Sequence, residues 1–277
     1  PRDHVGKNWA CTQLAEQANG ELFFFTDADT LHKPDSLRSI VTSLIGEKAD
    51  LLTGFPSQQV HSWGEKLLVP FFSWAMLCFN PLWIAYRLRL PALSSAVGQT
   101  MLFRREAYFT IGGHTGVSGS IVDDLSLVRL TKSYGLKWRV AHIADIISCR
   151  MYQNSREAYN GFIKNLFAAF DYRLLTYFFV FAWLFVLFWV PLLVLILMLF
   201  GFAPSENSLE ILVCVGLSIL LWLVPYLEIK LPFTLALLYP VTILANIVVA
   251  FQSFRHTIAG NMSWKDRPIA KQKWKWL

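Results

Sequence analysis

Charge is scarce in this chain. Of its 277 residues only 16% are charged, whereas 55% are hydrophobic; an average soluble domain carries about 25% charged residues. The balance points towards a membrane. The shortage is local: between Leu174 and Ser205 there is no charged residue at all, while residues 1–170 mix charges, glycines and turn signals in the manner of a globular α/β domain. Cysteine is also sparse. The four thiols, Cys11, Cys78, Cys149 and Cys214, are scattered with no Cys-x-x-Cys pair, which excludes a zinc knuckle or a disulfide framework and reads as buried or membrane-facing thiols in a reducing compartment. The histidines have no metal-ligand spacing. No Ser/His/Asp or Cys/His arrangement is legible, and there is no signal peptide, internal repeat or low-complexity tract.

What is present is apolar and, at the end, basic. Hydrophobic segments lie within 174–205, 211–227 and 231–254, each close to the roughly 20 apolar residues that a membrane-crossing helix needs. Pro191, Pro225, Pro232 and Pro240 suggest bends. The segments carry almost no ionisable residue, which argues against a transporter, since transporters place such groups inside their spans. The tail 255–277 holds six Lys/Arg against one Asp, interleaved with Trp264, Trp274 and Trp276. Cations attract anionic head groups and indoles settle at the interface, so this tail suits a membrane surface better than a nucleic acid, and no nucleic-acid partner is expected. Three full crossings would put the basic residues of 1–170 and of the tail on opposite sides, against the bias of basic residues towards the cytoplasm. An even number of crossings, with one segment re-entrant or interfacial, is therefore expected, although the sequence does not say which.

The first 170 residues alternate helical and strand patterns. "ACTQLAEQA" has helical spacing and stops at Asn19-Gly20. "ELFFFT" is a short apolar run read as a buried strand. Pro34 and Asp35 open another helix, with Pro in its first turn, and "DLLTGF" is a second strand. This alternation suggests a mostly parallel sheet. Residues 67–86, apolar and aromatic with Pro70 and Pro81 inside and Arg87 and Arg89 beside them, read as an interfacial or re-entrant element, with a buried core helix as the alternative. "AVGQTMLFRREAYFTIGGH" reads as strand, helix and glycine stop, "VDDLSLVRLTKSYG" as a helix ending at Gly135, and "LKWRVA" as a strand.

Two pairs of acids stand out. Asp27 and Asp29 follow an apolar strand, and in α/β sheets ligands bind beyond the carboxyl ends of strands. Carboxylates are hard oxygen ligands for Mg²⁺ or Mn²⁺, which typically take one or two acids plus substrate phosphates. Alone, the pair is equally an ordinary Asp-rich turn. Asp123 and Asp124 open a helix, where the positive end of the dipole favours acids in any protein.

The order "GKNWACTQLAEQANGELFFFTDADTLHKPDSL" resembles the family 2 glycosyltransferases of GT-A fold: Gly6-Lys7 before a helix, Asn19-Gly20-Glu21, an apolar strand, the acid pair Asp27–Asp29, then Pro34. "GQTMLFRREAYFTIGGH" and "VDDLSLVRLTKSYGLKWRV" resemble later blocks of the same family, with Asp123 where Glu is frequent. The resemblance covers about residues 5–165. "GKNWAC", "SCRMY", "GFIKNLFAAF" and "SWKDRPI" resemble the membrane subgroup associated with carotenoid and hopanoid pathways.

The resemblance implies an α/β Rossmann-like catalytic domain over 1–170 facing the cytoplasm, transmembrane helices over 171–254 and a basic tail over 255–277. It implies transfer of a sugar from a UDP- or GDP-sugar to a lipid acceptor. Asp29 would bind Mg²⁺ or Mn²⁺, and Asp27 would reach the metal or the ribose. Lys7 would lie near the nucleotide, a solvated surface lysine being the alternative. Asp124 would be the base that deprotonates the acceptor hydroxyl, with inversion at the anomeric carbon, and Asp123 would support it. The Gln-x-x-Arg-Trp motif of the processive polysaccharide synthases is not found. That favours addition of a single sugar over polymer synthesis and leaves Arg150 as a candidate for the diphosphate. The family begins with a strand–helix–strand unit bearing an acid for the nucleotide base. Starting at Pro1, this chain is expected to lack that unit and to be inactive alone. His114, after Gly112-Gly113 near the expected acceptor side, is expected to be a loop histidine without a role, contact with substrate being the alternative.

Overall fold

The structure is a computed structural model and describes residues 6–88, 90–204, 206–264, 267–268 and 273–276. Arg89 and most of the basic tail lie outside the described residues. The chain divides into two compact units, residues 1–59 with 75–151 and residues 60–74 with 152–277. Residues 60–74 and 152–170, read from sequence with the α/β domain, thus group with the apolar helices.

The first unit opens with helix α1 (Gly6–Gln17), strand β1 (Leu22–Phe25), β2 (Thr30–His32), helix α2 (Ser36–Gly46), β3 (Leu51–Phe55) and β4 (Ser57–Gln58). Helix α3 (Trp63–Phe79) has residues in both units, and α4 (Leu82–Arg87) returns to the first. The unit continues through β5 (Met101–Arg104), α5 (Arg105–Thr110), α6 (Asp123–Ser133), β6 (Trp138–His142) and β7 (Ile147–Cys149). Pro34 stands two residues ahead of α2 rather than in its first turn, and Asp35 takes a left-handed φ of 64° between them.

The main sheet has the order β1-β5-β3-β6. Only β3 and β6 pair in parallel; β5 is antiparallel to both β1 and β3. This corrects the expectation of a mostly parallel sheet. The reason lies in the segment before β5. Residues 94–100 form a buried loop beside the ends of β1 and β3: Thr53 Oγ1 bonds the backbone N–H and C=O of Val97, and Thr26 Oγ1 donates to Gln99 O. The chain therefore enters β5 from the edge at which β1 and β3 finish, and runs back between them. A second, smaller sheet has the order β2-β7-β4.

Period-2 alternation in β3 and β5 builds a core on each face of the main sheet. Leu51, Met101 and Phe103 pack with Phe23, Tyr108, Leu127, Val128 and Trp138. Leu52 and Leu102 pack with Ile40 and Leu44 of α2 and with Ile143 and Ile147. With both faces covered, β3 is buried at all five positions, as expected of a short, continuously apolar run.

The second unit comprises the first part of α3, then α7 (Ser155–Ala169), α8 (Leu174–Leu199), α9 (Ser208–Glu228), the single turn α10 (Phe233–Ala236) and α11 (Tyr239–Ala259). Helices α8, α9 and α11 are long and apolar enough to cross a membrane. Helix α8 continues through Pro191 and α9 through Pro225, whereas Pro232 and Pro240 sit at the starts of α10 and α11. The stretch read as one apolar segment over 231–254 is therefore broken in two. Inside this unit the indole of Trp74 stacks on that of Trp222 at 3.8 Å and donates from Nε1 to Leu221 O at 3.0 Å. Residues Leu68 to Phe71 of the 67–86 element are buried here.

Candidate active site

Asp27 and Asp29 leave the end of β1 in a turn closed by Thr30 N–H to Asp27 O. Lys7, in the first turn of α1, places its Nζ 3.0 Å from Asp27 Oδ1 and 3.5 Å from Asp123 Oδ2. One ammonium thus joins the strand-end pair to the helix-start pair, bringing together residues more than ninety positions apart in the chain. The lysine is held there by its neighbour: Asn8, fully buried, donates through Nδ2 to the carbonyls of Val117, Ser118 and Ser120 in the approach to α6. Burial alone would lower the Lys7 pKa, but the surrounding Asp123, Asp27 and Asp124 outweigh it and hold the amine charged.

Asp124 is clamped by two backbone donors. Gly98 N–H lies 2.8 Å from Oδ2 and Leu125 N–H 2.7 Å from Oδ1. Burial, and secondarily the Asp123 charge, push its pKa up to about 6 despite these bonds and Lys7. A carboxylate with that affinity is ionised at neutral pH yet takes a proton readily, the property wanted in a general base. The buried loop 94–100 is what makes the clamp. At Gly98 an added Cβ would stand 3.0 Å from Lys7 Nζ, the movable end of a flexible side chain, and at an ordinary contact distance of 3.5 Å from Asp124 Oδ2, so a side chain here would crowd the lysine. In the sequence this residue is marked only as the first of the family-like stretch "GQTMLFRREAYFTIGGH", with nothing to show that it meets Asp124.

His114 is 2% exposed and sits in the site. Its backbone N–H donates to Tyr108 Oη at 3.1 Å, and its Nδ1 shares a second hydrogen bond with that phenol at 2.9 Å. Nε2 faces Asp123 Oδ2 at 3.8 Å. Burial lowers the imidazole pKa to about 4, Asp123 opposing and Lys7 adding to the effect, so the ring is neutral. The glycines before it are required: Gly112 and Gly113 have φ of 77° and 52°, and a Cβ on Gly113 would fall 2.4 Å from the Tyr108 ring. His114 is thus a packed, hydrogen-bonded histidine beside Asp123.

Asp29 is exposed, and its Oδ1 accepts from the thiol of Cys149 at 3.4 Å. Burial, with Asp29 next to it, raises the Cys149 pKa and keeps the thiol protonated. Arg150, the residue after Cys149, is half-buried beyond the end of β7. Cys149 pairs with Thr30 across β2 and β7, which puts Arg150 at the strand end nearest the Asp27–Asp29 turn. Among the described residues no group of three or more His, Cys, Asp or Glu is gathered as a protein-only metal cage. Two hard carboxylates are at hand in Asp27 and Asp29, a donor set suited to a divalent ion that completes its coordination with phosphate oxygens.

A mixed α/β unit with carboxylates gathered at one sheet edge, followed by helices apolar enough to cross a membrane, is the architecture of a glycosyltransferase of GT-A type with transmembrane helices. The chain belongs to glycosyl transferase family group 2, whose family model matches residues 22–249. The comparison with curated proteins gives no significant match.

Proposed function

We propose that this glycosyltransferase moves a single sugar, with inversion, from a UDP- or GDP-sugar to a lipid acceptor held in the membrane. Asp124 is the base. Its carboxylate, oriented by the N–H groups of Gly98 and Leu125, takes the proton of the acceptor hydroxyl as that oxygen attacks the anomeric carbon; the bond to the diphosphate breaks on the opposite side. Asp123, paired with Lys7 and faced by His114, keeps a negative charge beside Asp124 and so sustains its proton affinity. Lys7 supplies a fixed positive charge where the anionic donor arrives, and Arg150 is the second candidate cation for the diphosphate. Asp29, with Asp27, would hold Mg²⁺ or Mn²⁺, which neutralises charge developing on the leaving diphosphate.

The observation that carries this reading is the clamped Asp124, with a pKa of about 6, joined through Asp123 and Lys7 to the strand-end acids. The short motifs resembling the carotenoid- and hopanoid-associated subgroup, together with the helices apolar enough to span a membrane, support a polyprenoid-type or glycerolipid acceptor and a hexosyl donor, with the catalytic unit on the cytoplasmic side, where nucleotide-sugars are made. The test is transfer from labelled UDP- and GDP-sugars to lipid in membranes containing the full-length protein, resolved by thin-layer and mass analysis. One added sugar per lipid is expected. A polymeric product would replace this reading with a polysaccharide synthase, and full activity in Asp124→Asn would remove Asp124 as the base.

A further inference from the structure

The three apolar helices of the second unit are not equivalent. Helix α8 has 26 residues and rises ~39 Å, more than the ~30 Å of a hydrocarbon core. Its neighbours can be placed along it by their contacts. Phe188, ~21 Å above the start of α8, touches both Trp222 of α9, at 6.0 Å between ring centres, and Tyr239 at the start of α11, at 5.9 Å. Next to it, Trp189 Nε1 donates to Pro240 O at 2.9 Å. Helix α11 therefore begins at the middle of α8, not at either end.

From there α11 runs back towards the start of α8. Tyr177 Oη donates to Ala250 O at 2.9 Å, and the rings of Phe178 and Phe254 lie 5.0 Å apart. Its last turns bind α7, the helix that precedes α8: Ser253 Oγ donates to Ile163 O at 2.6 Å and accepts from Phe167 N–H at 3.1 Å. Helix α9 runs in the same direction as α11. It comes from the far end of α8 through an eight-residue connection, passes Phe188 at Trp222, and continues ~9 Å further to Glu228. Exposed Glu228 and Lys230 then mark its end. Between Ile229 and Leu238 the chain turns back through α10 to the level of Phe188.

We infer that residues 229–259 form a re-entrant element that enters and leaves on the face where α8 begins, so that the helical unit crosses the membrane twice, by α8 and α9. The composition of α11 agrees with this path. It is the least apolar and most buried of the three, and it carries Asn246, Gln252, Ser253, Arg255, His256 and Thr257, polar groups that suit a helix half outside the hydrocarbon. Irregular backbone at membrane depth is tolerated where protein covers it, and Ile229, Leu231, Leu235 and Ala236 of the turn are buried.

The described part of the tail closes the same face. The first two N–H groups of α8, those of Leu174 and Leu175, donate to Lys275 O and Trp276 O, and Lys275 N–H donates to Tyr172 O. Lys275 Nζ lies 3.0 Å from Asp171 Oδ2, bracing a turn in which Asp171 and Tyr172 both hold left-handed φ of 55° and 59°. Trp274 and Trp276 are exposed beside it, as indoles are in the headgroup region.

The experiment introduces single cysteines at exposed Arg156, Asn207 and Lys273 of the full-length protein. Each is labelled with a membrane-impermeant maleimide in sealed vesicles of both orientations, and the increment over the parent protein is scored. Arg156→Cys and Lys273→Cys are expected to label from one face and Asn207→Cys from the other. Labelling of Lys273→Cys from the face of Asn207→Cys means three crossings and overturns the inference. Protease accessibility of a C-terminal epitope, on the face of Arg156→Cys if the inference holds, gives the same decision without a cysteine at 273. Neither readout depends on sugar transfer, so the topology and the catalytic reading fail separately.

Discussion

The two units use their polar side chains in opposite ways. In the α/β unit, charge is concentrated: Lys7, Asp27, Asp123 and Asp124 stand within a few ångströms of one another at the edge of a sheet buried on both faces. In the helical unit, several buried polar groups are neutral and attend to the backbone: Ser218 donates to Cys214 O, Asn246 to Thr242 O and Leu67 O, and Thr257 to Ser253 O; the buried carboxylate of Glu65 accepts from the backbone N–H groups of His61 and Ser62 and from the Ser62 hydroxyl. The difference teaches what each region is solvated by. A charge cluster at a wet sheet edge can be held by counter-charges and by an incoming anionic donor. Inside an apolar bundle, by contrast, an uncompensated polar group costs more than it contributes, which favours hydroxyls and amides that close on nearby carbonyls. The exposed large apolar residues follow the same division, gathering on α8, α9 and α11.

The contrast is broken most severely at Asp124. Replacing it with Asn keeps the shape, removes the proton acceptor and lowers transfer by about 10²–10⁴-fold, while donor binding measured by titration calorimetry stays within a small factor. An effect of similar free energy but of another kind is expected in the helical unit. Trp222→Ala empties the stack with Trp74, Phe188 and Tyr239 and lowers stability by about 3–5 kcal/mol, read as a fall in thermal unfolding temperature in detergent.

Gly98→Ala sharpens the comparison from the catalytic side. The methyl group crowds the movable Lys7 ammonium and only touches Asp124, so kcat should fall modestly with little change in unfolding temperature. The pH profile should show one acid limb. The Asp124 pKa is raised above its ordinary value to about 6, and the base works only when ionised, so kcat/KM is flat above that pH and drops as pH falls through it, tenfold per unit. The residual activity of Asp124→Asn in the same assay should lack this limb. The smallest effect is expected at Tyr177→Phe, which deletes one hydrogen bond to Ala250 O and should cost about 1 kcal/mol in unfolding experiments, without altering the pH profile.

Much of the site was legible because its acids occur as pairs at places where secondary structure changes. The run Leu22 to Phe25 reads as a short strand, which it is, although at the sheet edge only Phe23 is fully buried; Asp27 and Asp29 emerge at its end, and Asp123 and Asp124 open the helix whose apolar spacing follows them. The partners that hold these acids were not legible. Asn8, Gly98 and Tyr108 act through backbone groups distant in sequence, and a hydrogen bond from a glycine N–H leaves no mark on composition or periodicity. The packing of His114 was hidden for the same reason, since it rests on a phenol six residues earlier that the two glycines allow to fold over it. The direction of β5 was also hidden, being set by the buried loop 94–100 rather than by anything within the strand.

The sequence by itself determined the chemistry that is available: two acid pairs, one lysine ahead of a helix, and hydrophobic segments too apolar for water. These follow from local periodicity and from the free energy of transfer of each side chain, which are properties of residues and their near neighbours. Only the tertiary structure decided that Lys7 joins the acid pairs, that Gly98 holds Asp124 where its proton affinity rises, and that α11 starts beside Phe188 in the middle of α8. Each of these depends on contacts between segments far apart in the chain, made when burial of apolar surface brings them together.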